Sequence, residues 1–208
     1  MRFQILIFDG FDELDAIAPF EILHNASLLK TGASVELVVA DEAKEIVASH
    51  GLRLHPSGRL NLQQPPDVLI VPGGGWLGNA PKGARAEAAR GVIPAAVKSL
   101  HQSGTIVASV CTGAMLLAAS GILQGRPVIT HHGAIQDLQA AGAQIVQARV
   151  VDGGDIITAG GVTSGLDLAL WLVERFYGSK IAHGIEREIE YERRGTVWQD
   201  EDAAKAKE

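Results

Sequence analysis

The chain has 208 residues and a mass of 21.9 kDa, the size of one large domain whose core needs no staples. Hydrophobic residues are 47% and charged ones 20%, which excludes a disordered body. The formal net charge of −6 and a pI near 5.6 argue against nucleic acid or a membrane surface as partner.

In chain order, the unbroken apolar run 3–8 (FQILIF) predicts a buried strand. Residues 17–29 carry helical spacing, and 35–40 form a second apolar strand. Val47, Leu52 and Leu54 suggest short strand pieces, and 56–66 reads as loop. The run 67–75 (DVLIVPGGG) is a strand ending in a glycine turn. A helix over 84–103 follows, with Pro94 as a kink or a fresh start. Residues 105–111 make another buried strand, and 112–121 a short helix closed by Gly121. Further strands are expected at 128–130, 148–151 and 156–159. An apolar helix at 167–177 and a charged one at 181–194 complete the set. Alternating strands and helices predict an α/β domain with a mainly parallel sheet and helices on both faces, over 1–195 with 196–208 as a tail.

In such sheets, reactive groups gather beyond the carboxyl ends of the strands. Three segments deliver residues there: 9–15, 72–78 and 111–113. Cys111, the single cysteine, stands between a strand and a helix beginning Thr112-Gly113-Ala114. Backbone N–H groups at a helix start favour a thiolate; the competing reading is a small buried hydrophobe. The glycines of PGGGWLG serve either as an oxyanion cradle or as a plain tight turn. Gly73, Gly75 and Gly78 fit a dinucleotide fingerprint, but no acid occurs between Glu87 and Asp137 to hold a ribose. Asp15 is either a helix cap or a reactive acid. His131 flanks the pocket or is a hydrogen-bonded, partly buried histidine; Trp76 walls the pocket or packs in a dimer. Residues 159–165 (AGGVTSG) read as a tight turn first and as pocket lining second. The other histidines show no ligand spacing, so no metal and no cofactor are expected. A single cysteine rules out a disulfide framework within the chain. With no run near the ~20 apolar residues of a membrane span, a cytoplasmic protein is expected.

Three segments, SVCTGAMLLAASGILQGRPVITHH, DVLIVPGGG and ELDAIAP, together resemble the DJ-1/PfpI superfamily, related to class I glutamine amidotransferase domains. The resemblance covers 3–177. It implies a flavodoxin-like three-layer sandwich, a homodimer and a small-molecule substrate. It also implies a nucleophilic Cys111 at a strained elbow, with Asp15 beside it and Gly74 and Thr112 N–H groups as oxyanion donors. Thr112 stands where protease- and glyoxalase-like members have histidine, and Asp15 where many have Glu. That pairing resembles the isonitrile (isocyanide) hydratase branch, which implies a thioimidate on Cys111 with Asp15 as acid and then base. The alternatives are a glyoxalase, deglycase or amidase, or a non-catalytic sensor domain akin to those of AraC-type regulators.

Overall fold

The structure is a computed structural model in which residues 1–42, 45–78 and 80–200 are described. Among the described residues twelve strands occur in chain order: β1 (Arg2–Leu6), β2 (Ser34–Val39), β3 (Ile46–Val47), β4 (Arg53–Leu54), β5 (Gly58–Arg59) and β6 (Val68–Val71). They continue with β7 (Ile106–Val110), β8 (Pro127–Val128), β9 (Gln144–Ile145), β10 (Val150–Asp152), β11 (Ile156–Ala159) and β12 (Trp198–Gln199). The helices are α1 (Glu13–Leu28), α2 (Ala84–Arg90), α3 (Val92–Gln102), α4 (Gly113–Ala119), α5 (Ile135–Ala140), α6 (Ser164–Tyr177) and α7 (Ser179–Glu188).

Eight strands build the central sheet in the order β12-β10-β11-β7-β6-β1-β2-β5. Every neighbouring pair is parallel except β10 with β11. β6 is buried along its whole length, and β1 and β7 along all but their first residues, because helices cover both faces. Helices α1, α6 and α7 pack together on one face and α2 to α5 on the other. This is the mainly parallel α/β sheet the alternation predicts, in the flavodoxin-like sandwich that the resemblance implies.

The chain runs from β1 outward to β2 and then returns to β6 on β1's other side. This reversal is the topological switch where loops part to admit a ligand. Val71 pairs with Ser109 and Val110 with Ala159, so β6, β7 and β11 end nearly level. Their following loops meet at one place.

Several boundaries moved, each for a local reason. α1 begins four residues before the expected 17 because Asp12 accepts the Leu14 N–H and caps it. The helix over 84–103 breaks at Gly91, which adopts a left-handed φ of 79°, and not at Pro94. Pro94 is the third residue of α3, where its missing N–H has no intrahelical acceptor to lose. The charged helix stops at Glu188, with Glu190 left-handed at φ 50°. In the expected tail, Trp198–Gln199 adds to β10 as an edge strand; positions 201–208 lie outside the described residues.

Candidate active site

Cys111 follows β7 directly and adopts φ 55°, a conformation that costs a side-chain-bearing residue on the order of 1–3 kcal/mol. Surrounding bonds hold it there. Its N–H is shared between Ala159 O (3.2 Å) and Gly160 O (2.8 Å), and its carbonyl accepts the Thr130 hydroxyl at 2.8 Å. The side chain is 6% exposed. The backbone N–H groups of Val162 and Thr112 both point their favourable charge at the sulfur.

Val162 is itself strained, with φ 40°, which is rare for a β-branched residue. The end of β11 and the turn after it therefore hold Cys111 by the Ala159 and Gly160 carbonyls and by the Val162 N–H. In the sequence this segment reads as a tight turn first and as pocket lining second. The only hint was its Gly160-Gly161 pair.

Asp15 lies in the first turn of α1 and is fully buried. Asp12 does the capping, which frees Asp15 for another role. The Gly73 N–H donates to Asp15 Oδ2 at 2.9 Å. Asp15 Oδ1 is buried without a partner of good hydrogen-bond geometry, and the neighbouring group that interacts with the carboxyl is the Cys111 thiol. Pro19, within α1, has no N–H to offer the Asp15 carbonyl one turn earlier.

Burial, reinforced by the charge of Asp12, pushes the Asp15 carboxyl up to about 8, against the opposing pull of Gly73 and Cys111. Burial and the Asp15 charge push the Cys111 thiol up to about 12, although the Val162 and Thr112 N–H groups pull it down. The N–H groups at the helix start favour a thiolate but do not prevail. Two buried acids sharing one site resist ionising together, and desolvation outweighs the few N–H groups of a seven-residue helix. At neutral pH the site rests as thiol beside carboxylic acid.

Thr112 is buried, and its Oγ1 accepts the Gly74 N–H at 2.9 Å. The Gly74 amide, expected as an oxyanion donor, is therefore engaged by Thr112, whose hydroxyl proton remains to be given. Gly74 has φ 109°, and a Cβ there would lie 2.4 Å from the Asp12 nitrogen. Only glycine lets the loops after β1 and β6 touch in this way.

His131 is half-buried, and its Nδ1 accepts the Gly133 N–H at 3.1 Å. Its ring lies against Gly161, where a Cβ would approach His131 Cδ2 to 2.7 Å, so it braces the turn that holds Cys111. Burial and the adjacent His132 lower its pKa, which keeps it neutral at pH 7. Trp76, two residues beyond Gly74 in the loop after β6, is clamped in place. Its indole N–H donates to Asp137 Oδ2 at 2.7 Å, and the Arg85 guanidinium stacks 4.6 Å from its ring.

Among the described residues, one group has metal-ligating atoms in reach of one another: Asp12, Glu13 and His50, within 4.8 Å. Glu13 is already occupied, however. It accepts the His50 N–H at 2.7 Å and bonds the His50 ring at 2.6 Å. No helix among the described residues is long and apolar enough to cross a membrane.

The profile of the DJ-1/PfpI family matches residues 1–175. The isonitrile hydratase of Pseudomonas putida is 32% identical over 191 residues, covering 92% of this chain and 78% of that protein. A deglycase of Thermococcus kodakarensis is 29% identical, covering 76% and 89% respectively. Among solved structures, a ThiJ/PfpI family protein from Pseudomonas syringae superposes with a TM-score of 0.81 at 25% identity. That match covers 93% of this chain and 76% of that one.

Proposed function

The chain belongs to the DJ-1/PfpI family, and from that premise we propose that it is a cysteine-dependent hydratase, converting an isocyanide and water to an N-substituted formamide. One observation carries the reading: a buried Asp15 with an unsatisfied oxygen beside the strained Cys111. The likeness to an isonitrile hydratase over most of the chain supports it.

The uncharged resting pair suits this chemistry. An isocyanide carbon must gain both a proton and a nucleophile, so a neutral thiol can add across it without creating a buried charge. Asp15 gives its proton to that carbon while the Cys111 sulfur bonds to it, and the thiol proton passes to Asp15. The product is a thioimidate. Water then adds at the same carbon. Asp15 gives the proton it holds to the substrate nitrogen and takes one from the attacking water, and Thr112 orients the incoming oxygen with its free hydroxyl proton. The carbon–sulfur bond breaks, the new hydroxyl loses its proton through Asp15 to the sulfur, and formamide leaves. One carboxyl serves as acid and then base.

In this reading the Val162 and Thr112 N–H groups steady the sulfur as it comes and goes. Trp76 and His131 wall the substrate side, and no cofactor takes part. The same reading makes the protein a cytoplasmic homodimer. Light scattering near twice the 21.9 kDa chain mass checks the dimer.

The test is direct. Wild-type protein incubated with an alkyl or aryl isocyanide should release the formamide, and Cys111→Ala should release none. Isocyanide consumption by Cys111→Ala at the wild-type rate would overturn the scheme. Lactate from methylglyoxal without any formamide would instead favour the deglycase-like reading, for which a deglycase relative gives the precedent.

A further inference from the structure

The proposed reaction leaves one carboxylate at the site without a task. Asp12 is fixed where the loops after β1 and β6 meet. Its N–H donates to Gly73 O at 2.9 Å, and its Oδ1 accepts the Leu14 N–H at 3.2 Å. It is half-buried, and among the described residues no cation is in ion-pair contact with it, His50 lying within 4.8 Å but paired with Glu13. The neighbouring charges are already matched with others: Glu13 with His50, Asp9 with Lys82, and Asp137 with Arg85. The Asp12 charge nevertheless acts on Cys111, Asp15 and His131 together, three groups contributed by the turn after β7, by α1 and by the loop after β8.

We propose that Asp12 sorts substrates by charge, admitting neutral or cationic electrophiles to Cys111 and turning anionic ones away. The inference rests on Cys111 being the reacting group in the proposed function, and it adds the class of molecule that reaches it. The Glu13 carboxylate, within 4.8 Å of it, is paired with His50, so Asp12 is the carboxylate at this loop junction that no ion pair offsets among the described residues. In a half-buried site, a like charge several ångströms away changes an encounter by about tenfold or more. An isocyanide bearing a carboxylate is thus a poor substrate, and its methyl ester a good one.

The experiment measures Cys111 alkylation by iodoacetamide and by iodoacetate. In each, a carbon–sulfur bond forms, iodide leaves and the thiol proton goes to solvent. Both reagents need the same sulfur, so the ratio of their rates cancels any change in its ionisation. Asp12→Asn keeps a side-chain oxygen for the Leu14 cap and removes the charge. It should raise the iodoacetate-to-iodoacetamide ratio about tenfold. Salt should raise the wild-type ratio and leave that of the variant nearly flat. Asp12→Ser, another capping residue, secures the result if the Asn protein folds poorly. A ratio that moves less than about threefold in both variants overturns the proposal. A moved ratio without isocyanide hydration leaves the charge filter standing and removes the hydratase reading; hydration with an unmoved ratio does the reverse.

Discussion

Asp15 and Asp167 each sit in the first turn of a helix, α1 and α6, and those helices pack against one another. Both are buried, at 0% and 3% exposure. Their surroundings differ completely. Asp167 accepts Arg149 Nε at 2.8 Å and Nη2 at 2.6 Å, the Arg194 N–H at 2.9 Å and the Tyr191 hydroxyl at 3.2 Å. Asp15 has one backbone N–H and an orphaned oxygen. A carboxylate that a fold needs only for structure is given its full complement of donors. One left short is a group whose proton is meant to move. Asp167 ties the segment at 191–194 to the helix layer, and in the proposed reaction Asp15 is the group that gives and takes a proton.

The strongest way to break this comparison is to neutralise each acid. Asp15→Asn should lower isocyanide turnover by about 10²- to 10⁴-fold, the range for a lost acid–base group, while the protein stays folded. Removing the Asp15 charge also relieves the Cys111 thiol, so alkylation near pH 8 should quicken. Unchanged turnover would remove Asp15 from the mechanism.

The mirror experiment, Asp167→Asn, should do the opposite. It strands Arg149, which is 30% exposed, and loosens Tyr191 and Arg194. The cost should be about 3 kcal/mol in urea unfolding, the low end for a broken buried pair because Arg149 keeps some contact with water. Turnover per folded molecule should hold. Equal losses of activity from both variants would erase the distinction.

The same contrast marks what the sequence could disclose. The central strands were legible because buried parallel strands are written as continuous apolar runs, as in FQILIF and DVLIV. The elbow at Cys111 was legible from a strand ending in a cysteine before small residues. Asp15 was not singled out by its own surroundings in sequence. Acids stand at 9, 12, 13 and 15, and which is buried depends on α1 starting at Glu13. A cap at Asp12 decides that, and the apolar spacing used to place the helix begins only at 17. The resemblance, not the residue pattern, pointed to Asp15. Asp167 was invisible as a latch because its partners lie 18, 24 and 27 residues away. Val162 was hidden for another reason. Local propensity opposes a β-branched residue at positive φ, so only the surrounding tertiary bonds put it there.

A pH titration sharpens the comparison at the next level of effect. Asp15 has its folded pKa raised from 3.8 to about 8, so between those values the folded protein holds a proton that the unfolded chain has released. Its contribution to stability is therefore complete below about pH 4 and is lost as pH rises through about 8. The loss reaches on the order of 4 kcal/mol by pH 7. Other acids superimpose their own slopes; Glu13, held near 2 by His50 and backbone N–H groups, contributes the opposite one. The difference between wild type and Asp15→Asn isolates the term. That difference should favour the variant increasingly from about pH 5 to pH 8. A flat difference would mean that Asp15 is solvated in the folded state.

The smallest effect concerns the two strained residues that face each other, Cys111 at φ 55° and Val162 at φ 40°. Val162→Gly removes a conformational cost of about 1–3 kcal/mol, but it gives up a half-buried side chain packed against the core and frees the unfolded chain by about 0.5–1 kcal/mol. These terms nearly cancel, so stability should change by less than about 1 kcal/mol. At Val110, fully buried in β7 with ordinary strand geometry, the same substitution has no strain to relieve and should cost about 3 kcal/mol or more. The Val162 N–H remains in the variant but is no longer locked toward the sulfur. Cys111 alkylation at fixed pH should therefore slow by about two- to fivefold, the share of one neutral hydrogen bond. Denaturation and labelling of the same two variants measure both quantities. If Val162→Gly proves as costly as Val110→Gly, the turn after β11 is held by packing, and its strained backbone contributes nothing to the readiness of the sulfur.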